Sequence, residues 1–221
     1  MYLLGFLRPL RMGNIDIVSI LIRAVVILFA ISMHEMAHGF VAYKLGDPTA
    51  KSMGRLSLNP LRHLDPIGAL CMLFFGFGWA KPVAINPYYF KNIKRDTALT
   101  ALGGPLMNFL LAFIGIVIFK ILIVTNTPLN AFTSFIISFL NIFIALNVGL
   151  GSFNLIPIPP LDGSKIFLSL LPNRLYADIM RYEHLGWIIL VFALGTNVLT
   201  PVMYTIQSFI ITFLTLLVGG L

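Results

Sequence analysis

Four runs in this chain are too long and too apolar for an ordinary soluble helix. Residues 15–43 hold Arg23 and, near their end, the stretch HEMAH; residues 97–124 hold only Lys120; residues 131–156 and 185–221 hold no Asp, Glu, Lys or Arg at all. A helix crosses the hydrocarbon layer in about 20 residues, so each run is long enough to span it. Hydrophobic side chains make up 58% of the sequence, above the roughly 45–50% of soluble domains even when glycine is counted there. The expected fold class is an all-α polytopic membrane protein, with residues 1–221 forming one integral membrane domain in a lipid bilayer.

The other runs shape that reading. Residues 185–221 are either one long tilted helix kinked at Pro201 or two segments broken there. A shorter run, 66–80, contains Gly68, Gly76 and Gly78. It is short for a helical crossing and suits a re-entrant or β-hairpin-like element, whose irregular backbone is tolerated at membrane depth only where protein or water satisfies it. Cys71 is the lone cysteine and has no thiol to pair with. The basic opening stretch leads into the first apolar run without a small-residue cleavage site, and reads as retained.

The net charge of +7 does not point to nucleic acid. The basic residues gather in short polar segments without interleaved aromatics, as the distribution of positive charge about a membrane requires. Lys44, Lys51, Arg55, Arg62, Lys81, Lys91, Lys94 and Arg95 lie between the first two spans, whereas the next loop, 125–130, is uncharged. The first loop is therefore expected in the cytoplasm, with Lys165, Arg174 and Arg181 on the same side; Arg8 and Arg11 oppose this but are outnumbered.

Within this frame HEMAH stands out. His34 and His38 are four residues apart, so on a helix they project from one face a turn apart and can grip one metal ion, while Glu35 can reach a water at that metal. Ionisable groups at membrane depth are costly and usually functional, and three within five residues resist explanation by packing. Zinc suits two imidazoles and a carboxylate with one position left open. Asp162 is the acidic residue at the matching membrane level, after NLIPIPP at the cytoplasmic end of the third span. It can be read as the third ligand, or as a helix N-terminal cap acting with Lys165.

HEMAH (34–38), GGPLMN (103–108) and NLIPIPPLDG (154–163), in that order on successive spans, resemble the site-2 protease family of intramembrane zinc metalloproteases, in its compact bacterial or archaeal form without PDZ or CBS domains. The linking stretch within 58–87, ending GFGWAKPVAINP, is similar to that group as well. The resemblance implies a three-helix catalytic core, followed by one or two C-terminal membrane helices. It implies one Zn²⁺ held by His34, His38 and Asp162, with Glu35 as catalytic base. It also implies cleavage of peptide bonds in or near the membrane spans of single-pass proteins or signal-peptide remnants, at the cytoplasmic side of the inner (plasma) membrane.

Asn154 is expected either to donate a hydrogen bond to the developing oxyanion or to satisfy backbone where its helix ends. Gly104 and Asn108 are expected to pack the second span closely against the HEMAH helix. Gly76 and Gly78 lead a stretch that either clamps an unwound substrate by strand addition or forms an interfacial loop anchored by Trp79. His63 and His184 read as ordinary polar residues. A metal transporter or a silent binder of membrane segments remain the alternatives, although the chain has no repeat symmetry.

Overall fold

A computed structural model describes residues 17–63, 65, 67–68 and 81–220. Among these residues all regular structure is helical: α1 (Ile17–Lys44), α2 (Thr49–Ser52), α3 (Ile93–Val124), α4 (Ala131–Asn154), α5 (Asp162–Leu168), α6 (Asn173–Arg181), α7 (Gly186–Gly195) and α8 (Leu199–Leu217). Helices α1, α3, α4 and α8 are long and apolar enough to cross a membrane. This is an all-α, multi-pass membrane protein.

Local chemistry sets the helix ends. Asn92 accepts a hydrogen bond from Arg95 N–H and starts α3 four residues earlier than the apolar run suggests, at Ile93. Asn130 and Thr133 exchange reciprocal side-chain and backbone bonds that start α4 directly after the uncharged loop. At the C-terminus two segments form, but the break is not at Pro201. Helix α7 ends at Gly195, Asn197 takes φ 56°, and Pro201 sits in the first turn of α8. Proline is tolerated there because the first turn's N–H groups have no intrahelical acceptor. Only α8 of this pair has crossing length.

Helices α1, α3 and α4 pack against one another pairwise, α8 lies against α4 and α3, and α5 rests on α3. Ala112 and Ile116 of α3, Val148 of α4 and Leu214 of α8 are buried together. Ile156, Leu161, Leu190, Ala193, Leu199 and Met203 bury a second cluster where the chain after α4 meets α7 and α8. Outward, Leu21, Val25, Leu110, Ile114, Phe132, Phe209 and Phe213 are exposed. Such side chains face hydrocarbon at no hydrophobic cost when the helices are in lipid. Small residues allow close approach inside: a side chain at Gly103 would press on Val41 and the Ala37 carbonyl, at 3.0 and 3.2 Å, so α1 and α3 touch almost backbone to backbone.

Candidate metal centre

The tight crossing of α1 and α3 places His34 and His38 inside the bundle, 5% and 6% exposed. Their rings stand edge to face with centroids 4.6 Å apart, as two histidines one helical turn apart must when both turn toward the same point. An added Cβ at Gly104 would collide with His38 Nε2 and lie 2.5 Å from His34 Nε2. The glycine therefore leaves the space that both rings occupy. That is more specific than general helix packing.

Each ring is fixed from behind. His34 Nδ1 is 2.6 Å from Asn108 Oδ1, and His38 Nδ1 is 2.7 Å from the Thr100 carbonyl oxygen. The Asn108 amide cannot easily be turned over, since its Nδ2 donates to Ala30 O at 3.3 Å and to Asn147 Oδ1 at 3.2 Å, while Asn147 Nδ2 donates to Phe143 O at 2.9 Å. Carbonyl oxygens only accept, so both imidazoles carry a proton on Nδ1 and, in the neutral form that binds a metal, present a bare Nε2 lone pair.

Those lone pairs meet Asp162. Its Oδ2 lies 3.0 Å from His34 Nε2 and 3.2 Å from His38 Nε2. Asp162 opens α5 without capping it, and Lys165 instead faces Glu183 at 3.9 Å, so the capping reading of Asp162 gives way. The turn that delivers it is tight: a side chain at Gly163 would strike the carbonyls of Leu155 and Ile156. Two imidazole nitrogens and a carboxylate oxygen, all acceptors, thus converge, and His34, His38 and Asp162 can hold one metal ion. The donor set fits zinc with an open coordination position, and the hydrogen bonds behind each ring are the outer-shell partners that metal-ligating histidines normally have.

Glu35 lies outside this trio. Its Oε2 accepts from Val83 N–H at 2.9 Å, which turns the carboxylate toward the segment that leads into α3. Asn154 donates Nδ2 to Leu150 O at 3.0 Å, the backbone-satisfying arrangement. Gly76, Gly78 and Trp79 lie outside the described residues. His63 lies outside the metal trio and is buried, 1% exposed, with Nε2 2.9 Å from Ser57 O. Sequence reasoning missed Thr100, which acts through a backbone carbonyl that every residue possesses. Its reading of Asn108 was incomplete, because the amide holds an imidazole as well as packing a helix.

The sequence has counterparts in known proteins. Residues 120–195 match the model of peptidase family M50. YwhC of Bacillus subtilis, named as a candidate zinc metalloprotease, is 41% identical over 187 residues, covering 81% of this chain and 84% of its own. The chain belongs to peptidase family M50, the site-2 proteases. MJ0611 of Methanocaldococcus jannaschii, another candidate zinc metalloprotease by name, is 30% identical over 154 residues, covering 69% of this chain and 72% of its own. Rip2 of Mycobacterium tuberculosis, similarly named, is 30% identical over 142 residues and shares 62% of this chain but only 52% of its own. No solved structure matches the chain significantly. As an M50 member it is a zinc-dependent peptide hydrolase carried by membrane-crossing helices.

Proposed function

We propose that this M50 peptidase is an intramembrane endopeptidase that cuts peptide bonds in or near the membrane spans of single-pass proteins or signal-peptide remnants. The observation that carries this reading is the acceptor-only trio of His34 Nε2, His38 Nε2 and Asp162 Oδ2, walled in by the α1–α3–α4 bundle. The basic loop between α1 and α3 supports a site on the cytoplasmic side of the plasma membrane.

His34, His38 and Asp162 would hold one zinc ion per chain, which when bound supplies Lewis-acid polarisation of the scissile carbonyl and acidifies the attacking water. Asn108 and the Thr100 carbonyl keep both imidazoles in the tautomer that leaves Nε2 free. Glu35 takes the proton from the water as it attacks and returns it to the departing amine, and its bond to Val83 N–H holds one carboxylate oxygen. A substrate helix hides its peptide bonds behind its own hydrogen bonds, so it must unwind before it reaches these groups.

The test is cleavage of a single-pass membrane protein by the purified enzyme in detergent, beside Glu35→Gln and a chelator-treated sample. The expected result is product from the wild type that disappears in both controls while Glu35→Gln keeps its zinc. Equal product from wild type and Glu35→Gln, both zinc-loaded, would overturn the reading.

A further inference from the structure

Beyond the metal trio, a second carboxylate sits buried with no cation paired to it among the described residues. Asp47, in LGDPTA just past the end of α1, is 0% exposed. Gly46, at φ 110°, ends the helix in a conformation that side chains resist, and Asp47 N–H folds back to Ala42 O at 2.9 Å. Oδ1 accepts from Thr49 N–H at 2.9 Å and from Thr49 Oγ1 at 2.5 Å, a local turn that needs only one carboxylate oxygen. Oδ2 does something else. It accepts at 2.7 Å from Asn86 N–H, on the same segment whose Val83 N–H is bound by Glu35.

The segment between Lys81 and Asn86 has no helix or sheet ladder of its own. It is suspended by Lys81 N–H on His63 O at 2.9 Å, by Val83 N–H on Glu35, and by Asn86 N–H on Asp47. Between the two carboxylates Val83 settles onto α1 at Gly39, where an added Cβ would be 3.2 Å from Val83 Cγ1 and 3.0 Å from Ala50 Cβ. Pro82 has no N–H, and the amides of Ala84 and Ile85 have no partner among the described residues. The suspended stretch thus presents unpaired main chain beside Glu35.

We propose that Asp47 is a positioning residue for the hydrolytic site: by gripping Asn86 N–H it holds the 83–86 segment against α1, and so sets where substrate main chain is received next to Glu35. The inference rests on the proteolytic reading above. All three hydrogen bonds to Asp47 go to a carboxylate, which is why a neutral amide of the same shape is a discriminating replacement. In Asp47→Asn the side-chain oxygen can stay with Thr49, which leaves an NH₂ facing Asn86 N–H.

The experiment compares zinc-loaded wild type, Asp47→Asn and Thr49→Ala in detergent, with zinc content and thermal unfolding as controls, by hydrogen exchange and by substrate kinetics. Asp47→Asn is expected to speed exchange at Val83 and Asn86 with α3 unchanged, and to raise KM about tenfold or more with a smaller change in kcat, the loss of one hydrogen bond to a charged group. Thr49→Ala is expected to do neither, because it leaves the Asn86 bond in place. Unchanged exchange, an unchanged KM, or an equal effect of Thr49→Ala would overturn the proposal, the last by showing that Asp47 serves only its local turn. A wild type that cuts nothing would remove the proteolytic reading and this one together, whereas normal wild-type turnover matched by Asp47→Asn would remove this one alone.

Discussion

The two halves of α3 both carry polar groups into contacts between helices, but they do so with opposite balances. Near the far end Lys120 donates Nζ to Val218 O at 2.5 Å and to Gly220 O at 2.7 Å, so a cation with spare hydrogens meets carbonyls left over where α8 stops. Two of its three N–H donors meet carbonyl acceptors, so every contact pairs a donor with an acceptor. At the near end Gly104 makes room for two imidazoles whose hydrogens are already committed to Asn108 and Thr100, and the remaining lone pairs face another acceptor, Asp162. Polar groups that satisfy one another hold helices together; acceptors aimed at acceptors need a cation to complete them.

The comparison breaks most sharply at the near end. Glu35→Gln is expected to lower kcat by about 10²–10⁴-fold, the usual worth of a general base, with zinc content unchanged by elemental analysis. Retained turnover would show that the carboxylate facing Val83 takes no part in proton transfer. A smaller but still large effect is expected of Gly104→Ala, whose methyl group enters the space of both rings. Overpacking of this kind costs about 1–3 kcal/mol, so zinc affinity should fall roughly ten- to hundredfold in a chelator competition while the helices remain folded.

Asn108→Leu sharpens the comparison further, because it removes the acceptor behind His34 and keeps the volume. Loss of an outer-shell partner weakens metal binding about 10–100-fold, and here the effect should sit towards the lower end, since Thr100 still fixes His38. Chelator competition separates this from a packing defect: an Asn108→Leu protein with normal thermal unfolding but weakened zinc would place the amide in the metal site's support. Unaltered affinity would return it to helix packing alone.

The near end was also the more readable one in the sequence, for a physical reason. Helical spacing alone brings His34 and His38 to one point, and the scarcity of acidic residues in the chain singled out Asp162 once its membrane level was inferred. What stayed hidden depends on contacts between distant segments. Asp47 reads as one more acidic residue in a loop until Asn86 is brought to it, and Thr100 contributes no side chain to the imidazole it fixes. Pro201 reads as a kink or a break because proline interrupts helices from within, yet a proline in the first turn interrupts no bond, and the chain turns at Asn197 instead. Lys120 reads only as the one charge of its span; its acceptors lie about a hundred residues further on and have no signature of their own.

That far end supplies the mildest test and the one that isolates the principle. Lys120→Met keeps most of the side chain's apolar stem but removes the donors that serve Val218 O and Gly220 O. Hydrogen bonds from a charged group are worth about 1.5–3 kcal/mol, and water at the membrane surface can replace part of them, so unfolding in detergent should be easier by roughly 1 kcal/mol. Zinc affinity and kcat should not change, because the hydrogen bonds of Lys120 among the described residues go to the end of α8 and not to α5 or the HEMAH turn. A Lys120→Met enzyme that lost zinc would mean that the α3–α8 junction and the metal centre are mechanically coupled, and the division between a self-satisfied polar cluster and an acceptor-rich one would no longer separate structure from catalysis along this helix.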